Sequence, residues 1–531
     1  MLSMAFYQCY KTTHDLHYPF DLDFDRDVSF ARGMMNGHYG QDPNYKGEFL
    51  WYNPMLFTIE AAIAKITSSP LMEVVVQAGT YLNLLGPITF FLMAAYFFGF
   101  EAALACLLCF LFSRGKMVNV GLPYNYSPWL YPFCFAQSLF YINIILCYKA
   151  FLSQKNSWFI LLGITIGLSF LAHAAPTLLI ILIMFSIQSK KIFSAIKERT
   201  YPVLKKYLLQ GVTTLSFFIL VSLPLLYYIV GKYHMHIVNR APMEFTDRLF
   251  YMSHFDELVK ENLSPSLIVA LIGFIWFYKN FHQYLIRSIV LNWLFISIAL
   301  YIYSTLVAFL GGERYNIHLP GTVPSFHYYF YIKTIEWLFF GFGFVFLFRS
   351  TIDWITNRMV NDKKQNRSTY INILFPVAVL SCAIIIFPSY KTRPDFVIMR
   401  DLSLAKEKNT DKIEIYNYIL SNIPEDKVIL CERKDSISMF PVMASSRKTV
   451  SIEDTFSNPY VDFSKRENDR YNMLMFLKTG APVSAKKLFG EYDVSFVLLS
   501  ASGLSEYKLM PAMLGQAVFR NKSFTIFKVN R

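Results

Sequence analysis

Residues 14–54 read HDLHYPFDLDFDRDVSFARGMMNGHYGQDPNYKGEFLWYNP, a polar stretch without an apolar run. In the region that follows, residues 71–388, apolar segments succeed one another with short polar gaps between them. The whole chain is 54% hydrophobic and only 16% charged. A soluble domain carries about 25% charged residues. The composition therefore predicts an integral membrane protein, in which residues 14–54 form a loop outside the bilayer.

The acidic residues of this loop alternate along the chain, at Asp21, Asp23, Asp25 and Asp27. In an extended conformation, residues i and i+2 share a face, so these four carboxylates would be crowded together. Such crowding needs compensation by a metal or by a cation such as Arg26 or Arg32. The pattern predicts a general base, or a site for a cationic or metal-bound group. A solvated acidic loop is the alternative.

A divalent metal is the one cofactor that the residues suggest. His14 and His17 have a His-x-x-His spacing beside Asp21, and imidazole and carboxylate together suit several divalent metals. These three residues are therefore candidate metal ligands.

The apolar segments predict a polytopic all-α membrane bundle of about ten spans. A short amphipathic helix at Met55–Ser69 precedes them and is suited to the membrane interface. The predicted spans are 77–99, 100–112, 131–151, 156–171, 174–188, 207–230, 265–278, 288–310, 328–348 and 370–388.

The basic residues predict the orientation of the bundle. If the acidic loop lies outside, alternation puts loops 189–206, 279–287 and 349–369 inside, and the first and third are strongly basic. Cytoplasmic loops carry such an excess of Lys and Arg. The net charge of +13 is thereby explained without nucleic acid, which is not a predicted partner. Loops 113–130, 231–264 and 311–327, and everything after Pro388, would lie outside.

The composition changes from Ser389 onward, where charged residues return and strands alternate with helical patterns. The predicted strands are Lys427–Cys431, Thr449–Ile452, Val494–Leu499 and Phe524–Val529, and the predicted helices are Asp411–Ser421, Asn468–Lys478 and Leu509–Leu514. The polar run Asp454–Arg470 either lines a substrate cleft or is a capped helix entry. The domains are thus 1–70, the outer loop with its interfacial helix; 71–388, the membrane bundle; and 389–531, an extracytoplasmic α/β domain.

This plan resembles the polytopic GT-C glycosyltransferases, and locally the transferases that add aminoarabinose to lipid A and the protein mannosyltransferases. The motif that carries the resemblance consists of Asp23, Arg26, Ala31, Arg32 and Met34, followed by Trp51, Tyr52, Asn53 and Pro54. A further family-like feature is GLSFLAHAAPTLL, around His173 and Pro176. The resemblance implies transfer of a sugar from a polyprenyl-phosphate donor to a lipid, glycan or protein acceptor at the outer face of an inner (plasma) membrane. The usage of Lys, Ile and Asn indicates a bacterial source.

The resemblance also assigns residue roles. By position, Asp23 takes the role of the catalytic carboxylate. The family's second acidic residue is replaced by Phe24, so Asp25 is the alternative. The usual Pro-Pro step is reduced to Pro54-Met55. Family members begin with a span ahead of the acidic loop, and this chain starts just outside the place where that span would end.

The departing lipid phosphate requires cations, and Arg neutralises a phosphate with bidentate geometry. The candidate substrate- or phosphate-binding residues are Arg26, Tyr52, Arg314, His327 and Lys333. Arg314 alternatively snorkels to lipid headgroups, and His327 alternatively belongs to an interfacial aromatic belt. For the whole chain, the alternative functions are a non-catalytic membrane scaffold and a transporter or flippase of cell-envelope lipids.

Overall fold

A computed structural model of the chain describes residues 1–113, 125–244, 263–311, 315–321, 323–359, 367–432, 436–481, 483–507 and 513–530. The chain divides into two compact units. The first, here called the bundle unit, comprises Met1–His14, Gln77–Ser222 and Glu244–Ile398. The second, here called the sheet unit, comprises Asp15–Val76, Leu223–Met243 and Met399–Arg531.

Helices account for most of the described residues. In chain order, the α-helices are Leu2–Thr13, Leu22–Met35, Met55–Thr67, Leu71–Gln77, Gly79–Leu82, Leu85–Phe98, Phe100–Phe112, Pro132–Ser153, Asn156–Ala172, Ala174–Lys197, Tyr201–Leu226, Ala241–Glu244, Pro265–Asn280, Tyr284–Gly311, Phe326–Met359, Arg367–Lys391, Pro394–Glu407, Thr410–Asn422, Ser436–Met443, Phe463–Thr479 and Ala485–Glu491. A π-helical turn at Tyr227–Lys232 and short 3₁₀ turns at Asp454–Phe456 and Ala501–Glu506 complete the set.

The predicted membrane segments are helical. Seven helical stretches of the described residues are long and apolar enough to cross a membrane: Leu71–Phe98, Pro132–Ser153, Ala174–Lys197, Tyr201–Lys232, Tyr284–Gly311, Phe326–Ile355 and Asn372–Glu407. Three shorter apolar helices, Phe100–Phe112, Asn156–Ala172 and Pro265–Asn280, coincide with the remaining predicted segments. A helix satisfies all its backbone groups internally, which a bilayer demands. The predicted fold class, a polytopic helical bundle followed by a C-terminal domain, is confirmed.

Two helices of the bundle unit approach each other closely through glycine. A Cβ atom added to Gly273 would lie 1.8 Å from the carbonyl oxygen of Phe339, and one added to Gly343 would lie 1.9 Å from that of Val269. Small residues let helix backbones approach in a membrane, where van der Waals packing rather than the hydrophobic effect drives association. The helices Pro265–Asn280 and Phe326–Met359 are therefore packed backbone to backbone.

The sheet unit contains a five-stranded mixed sheet. The strands are β1 (Val428–Cys431), β2 (Lys448–Thr449), β3 (Val494–Ser500), β4 (Leu514–Arg520) and β5 (Phe524–Val529). Their order is β2-β1-β3-β5-β4. Strand β1 pairs in parallel with β2 and β3, whereas β5 runs antiparallel to both β3 and β4. All four residues of β1 are buried, as in a strand covered on both faces.

Each face of the sheet carries its own core. Val428 and Leu430 of β1 pack on one side with Met473 and Leu477 of the helix Phe463–Thr479. On the other side, Ile429 and Cys431 pack with Ile415 and Ile419, and this second core also includes Tyr45. A residue of the N-terminal polar stretch is thus part of the sheet's hydrophobic core.

Polar contacts fasten the same stretch to the sheet. The Lys448 ammonium donates to the carbonyl oxygens of Asp42 and Pro43, at 2.6 and 3.2 Å. The Asn458 amide donates to the Asp42 carboxylate at 3.0 Å, and the hydroxyls of Tyr45 and Ser457 lie 2.9 Å apart. These groups are buried and satisfied by one another, which gives this part of the stretch a single conformation.

Two local predictions need correction. Residues 22–35 form a helix, not an extended segment, because the Asp21 carboxylate caps it by accepting a hydrogen bond from the Phe24 N–H at 3.3 Å. At the other end of the chain, Leu514 begins strand β4, and residues 509–512 of the predicted helix lie outside the described part. Strand β4 itself was not predicted.

Candidate functional site

The site in the sheet unit is built on the first two turns of the helix Leu22–Met35. Asp at the N-cap and more acidic residues in the first turn are typical of a helix start, because they complement the unpaired N–H groups and the positive end of the helix dipole. In a helix, residues three or four apart are neighbours. Arg26 therefore lies beside Asp23, while Asp25 points to a different side. Extended alternation would have put all the aspartates on one face.

Arg26 is held between two carboxylates. Its Nη1 lies 3.0 Å from Asp23, and its Nε and Nη2 donate to a single oxygen of Asp27 at 2.9 and 2.8 Å. Its guanidinium carbon lies 4.4 Å from the ring centre of Tyr52. The aspartates differ in exposure: the Asp23 side chain is 39% exposed and that of Asp27 only 1%. Asp23 is therefore the member of the trio that an approaching molecule can contact.

Asp25 is occupied. Its two carboxylate oxygens accept from the Lys406 ammonium at 2.7 and 2.9 Å, and its side chain is 1% exposed. The ammonium also lies 4.1 Å from the ring centre of Phe440. Burial raises the pKa of Asp25 to about 6, although Lys406 opposes the shift. Between the two candidate bases, this geometry favours Asp23.

Glu60 is a second buried carboxyl group that sequence reasoning did not single out. It lies in the helix Met55–Thr67, is fully buried, and neither of its carboxyl oxygens has a hydrogen-bond partner among the described residues. Burial, with a smaller contribution from the Asp27 charge, raises the pKa of Glu60 well above its usual range. Burial also raises the pKa of Asp27 to about 7, against the effect of Arg26.

Tyr52 and Arg32 complete the surroundings of the helix. The Tyr52 ring packs on those of Phe30 and Phe57, with centroids 6.0 and 5.7 Å away, and burial raises its pKa to about 12. Arg32 donates to the Tyr416 hydroxyl at 2.7 Å. Tyr52 is therefore a neutral wall beside Arg26, whereas Arg32 anchors the helix to the rest of the unit.

The polar run Asp454–Arg470 contributes in two ways. Its Phe456 ring centre lies 5.9 Å from the Arg26 guanidinium carbon, so the run begins beside the site. Further on, the Asp462 carboxylate accepts from the Lys465 N–H and caps the helix Phe463–Thr479. The interpretation as a capped helix entry is confirmed, while the role in a cleft stays a prediction.

The bundle unit has a cavity of its own, with a volume of about 940 Å³. Its walls are mostly apolar and include Phe112, Val269, Trp337, Phe340 and Ile386. Its charged lining residues are Lys333, Glu336, Arg393 and Asp395. An apolar cavity with a few charged groups suits a molecule that is largely apolar and carries one charged part.

The charged residues of this cavity form two ion pairs. Lys333 pairs with Glu336, and Arg393 donates through Nε and Nη2 to both oxygens of Asp395, at 2.9 and 2.6 Å. The Nη1 atom of Arg393 is buried and has no hydrogen-bond partner among the described residues. An unmade hydrogen bond on a buried charged group is costly, which makes this nitrogen a candidate donor to an anionic ligand. Sequence reasoning included Lys333 but missed Arg393.

The other candidates lie elsewhere. His327 is buried in the bundle unit, where its ring stacks on that of His173 at 4.5 Å and its Nδ1 lies 3.2 Å from the carbonyl oxygen of Pro324. His173 caps the helix Ala174–Lys197 by accepting from the Ala175 N–H at 3.2 Å. Arg314 lies outside the described residues. Of the three, His327 and Arg314 keep their proposed roles only as predictions.

The metal hypothesis gains no support from the geometry. Within the described ranges, no group of three or more His, Cys, Asp or Glu side chains is placed to hold a metal ion. His14 stacks on Tyr10, His17 lies 2.8 Å from Glu73, and Asp21 caps its helix. Metal binding by His14, His17 and Asp21 therefore stays a prediction.

Comparisons with known proteins agree on the fold. ArnT from Cupriavidus metallidurans, solved with undecaprenyl phosphate, is 12% identical, with a TM-score of 0.55 over 99% of this chain and 96% of that one. The oligosaccharyltransferase AglB from Archaeoglobus fulgidus, solved with an inhibitory peptide and a dolichol-phosphate, is 13% identical, with a TM-score of 0.50 over 95% of this chain and 69% of that one. No protein-family model matches the sequence, and no curated protein matches it.

Proposed function

We propose that this chain is a glycosyltransferase that moves a sugar from a polyprenyl-phosphate donor to an acceptor at the outer face of the membrane. What is established is coarser: the chain has the fold of GT-C glycosyltransferases and is a multi-pass membrane protein. The observation that carries the proposal is the accessible Asp23 carboxylate, held 3.0 Å from a buried Arg26.

The reaction needs one base and one anion-binding group. An acceptor hydroxyl or amine attacks the anomeric carbon, the bond from that carbon to the phosphate oxygen breaks, and the lipid phosphate leaves with the bonding electrons. The acceptor's proton passes to a carboxylate within hydrogen-bond reach. We assign the role of proton acceptor to Asp23, because Asp25 and Asp27 are buried and already paired with Lys406 and Arg26, respectively.

The bundle-unit cavity is the proposed donor site. An apolar wall suits a polyprenyl chain, and Lys333 and Arg393 supply positive charge for its phosphate. ArnT was solved with undecaprenyl phosphate and AglB with a dolichol-phosphate, which supports a lipid phosphate of this class. The helices that line this cavity have ends near Ser113, Pro265 and Arg393. In the predicted topology, these ends lie on the outer side of an inner (plasma) membrane.

The test is a transfer assay with the full chain in membranes and radiolabelled sugar on undecaprenyl phosphate. Asp23→Asn should reduce transfer by about 10²–10⁴-fold, the range that a general base contributes. Asp426→Asn is the matched control, since it removes the same charge from a side chain that is 64% exposed. It should transfer within about twofold of the unmodified chain, as surface substitutions usually have small effects.

Two results would overturn parts of this proposal. Unchanged transfer by Asp23→Asn, with normal amounts of folded protein, removes Asp23 as the base. An unmodified chain that transfers no label from any lipid-linked sugar removes the reaction, and the non-catalytic scaffold then becomes the better hypothesis.

A further inference from the structure

The bundle unit also has a shallow cavity, open at the surface and of about 590 Å³, that plays no part in the proposed reaction. It lies where the turn Gln154–Asn156 meets the first turns of the helix Tyr201–Leu226. The Gln210 amide of that helix donates to the Gln154 carbonyl oxygen at 3.2 Å and ties the two segments together. By the predicted topology, this is the cytoplasmic end of the bundle.

The cavity is strongly basic. Lys155, Lys205 and Lys206 line it, and within the described part of the chain none of the three is paired with a carboxylate. Between positions 149 and 206 the sequence has eight basic residues, and Glu198 is the one acidic residue there. An anion placed here is therefore attracted by several cations and repelled by almost nothing.

The backbone adds to this charge. The helix Asn156–Ala172 begins at the cavity, and its N-cap residue, Lys155, makes no side-chain capping bond. The first N–H groups of a helix have no partner within it and form its positive end. An uncapped N-terminus among three lysines is a setting in which a phosphate gains both charge compensation and hydrogen bonds.

The surface beside the cavity is apolar, and this favours a lipid over a free anion as the ligand. Leu209 lines the cavity and is 53% exposed, and Leu208 and Val212 of the same helix are 50% and 58% exposed. These side chains lie on a helix long and apolar enough to cross a membrane, so they are suited to contact acyl chains. Gln154 also lines the cavity, and its buried Oε1 has no hydrogen-bond partner among the described residues.

We propose that this cavity binds the phosphate of an anionic phospholipid, such as phosphatidylglycerol. The three lysines and the helix N-terminus hold the phosphate, and the acyl chains run along the apolar face of the helix Tyr201–Leu226. Basic pockets between helices at the cytoplasmic side of a membrane are typical sites for anionic headgroups. The proposal is independent of the transfer reaction.

The experiment uses the purified full chain in a neutral detergent. Phosphatidylglycerol and phosphatidylcholine are titrated separately, and the bound lipid is counted by native mass spectrometry. The triple variant Lys155→Ala, Lys205→Ala, Lys206→Ala should bind phosphatidylglycerol at least about tenfold more weakly, because each lysine near an anionic headgroup contributes severalfold in affinity. The control triple variant removes the same charge from exposed lysines that neither line the cavity nor lie between positions 149 and 206, Lys279→Ala, Lys408→Ala, Lys486→Ala.

The outcomes separate the possibilities. Normal binding by the control variant supports the site, whereas equal loss in both variants shows a general charge effect and overturns it. Phosphatidylcholine that binds as tightly as phosphatidylglycerol also overturns it. A competition arm with inorganic phosphate completes the design: displacement of the lipid by millimolar phosphate would show that the cavity takes a free anion. If the triple variant fails to fold, the single variant Lys205→Gln replaces it in the test. Its affinity for phosphatidylglycerol should fall by about fivefold.

Discussion

The buried Asp27 and the exposed Asp23 both pair with Arg26. The buried Glu60 lies close enough to Asp27 for the two charges to interact. Arg26 thus carries one positive charge between a carboxylate that a substrate can contact and another that it cannot. In this arrangement the buried Asp27 fixes the position of Arg26, and Arg26 in turn orients Asp23. Asp25 lies in the same turn of the helix but does not contact Arg26, because its carboxylate pairs with Lys406.

The pH dependence of stability tests this arrangement. Because burial raises the pKa of Asp27 to about 7, the folded chain keeps a proton that the unfolded chain has already released at about pH 4. The stability from Asp27 is therefore fully present near pH 4 and is lost as the pH rises through about 7. Asn does not ionise, so the Tm of Asp27→Asn minus that of the unmodified chain should rise across this window by at least about 3 °C. Intrinsic fluorescence of the detergent-purified chain reports the Tm. A difference that stays flat from pH 4 to pH 8, as expected for Asp426→Asn, would contradict the assignment.

Arg393 makes a separate prediction for the donor cavity. If its unpaired Nη1 binds the lipid phosphate, Arg393→Gln should raise the KM for the polyprenyl-phosphate donor by about tenfold or more, the value of a hydrogen bond to a charged group. The expected kcat changes less, and Arg393→Lys should restore part of the loss because it keeps the charge. Lys391→Gln is the control, since Lys391 is exposed and does not line the cavity. Equal KM values for Arg393→Gln and the control would remove the phosphate role.

Among the elements, the glycine contact between Pro265–Asn280 and Phe326–Met359 positions the cavity, because both helices line it. Gly273→Ala would place a methyl group 1.8 Å from the Phe339 carbonyl oxygen, so the backbones must separate. Overpacking of this kind costs about 1–3 kcal/mol. Gly211→Ala is the matched control, since the nearest atom to its added Cβ is 3.9 Å away and Ala favours a helix. The Tm in detergent should fall for Gly273→Ala and stay level or rise for Gly211→Ala. Equal Tm values would show that the contact adapts freely.

The sequence predicts elements whose signal is local and misses those that depend on distant partners. The apolar segments from 77–99 to 370–388 can be recognised from their length and composition alone, and all coincide with helices. The helix Leu22–Met35 was missed although Asp21 and its first-turn carboxylates are a recognisable helix start, since alternation suggested an extended chain. Strand β4 (LGQAVFR) was missed because its residues are mostly exposed and alternate poorly.

The same limit holds for the site. Asp23 and Arg26 are three positions apart, and a pattern can reveal their contact. Lys406 lies 381 positions from Asp25, and the Arg393 Nη1 is notable only because its surroundings are buried. Pairs of this kind carry no periodic signal in one sequence, so the partner that occupies Asp25 emerges only from the fold.

On the scale of the whole molecule, the proposed reaction requires the sheet unit, with Asp23, to face outward and the basic loop 189–206 to face the cytoplasm. Cysteine labelling tests this orientation, because none of the seven native cysteines is exposed. Lys487→Cys introduces an exposed thiol in the sheet unit, and Lys190→Cys introduces one in the helix Ala174–Lys197, within the basic segment 189–206. In intact cells or spheroplasts, a membrane-impermeant maleimide should label Lys487→Cys at once and Lys190→Cys only after the membrane is permeabilised. The opposite pattern would place Asp23 on the cytoplasmic side, where an outward-facing polyprenyl-phosphate sugar cannot reach it, and the proposed function would fail together with the topology.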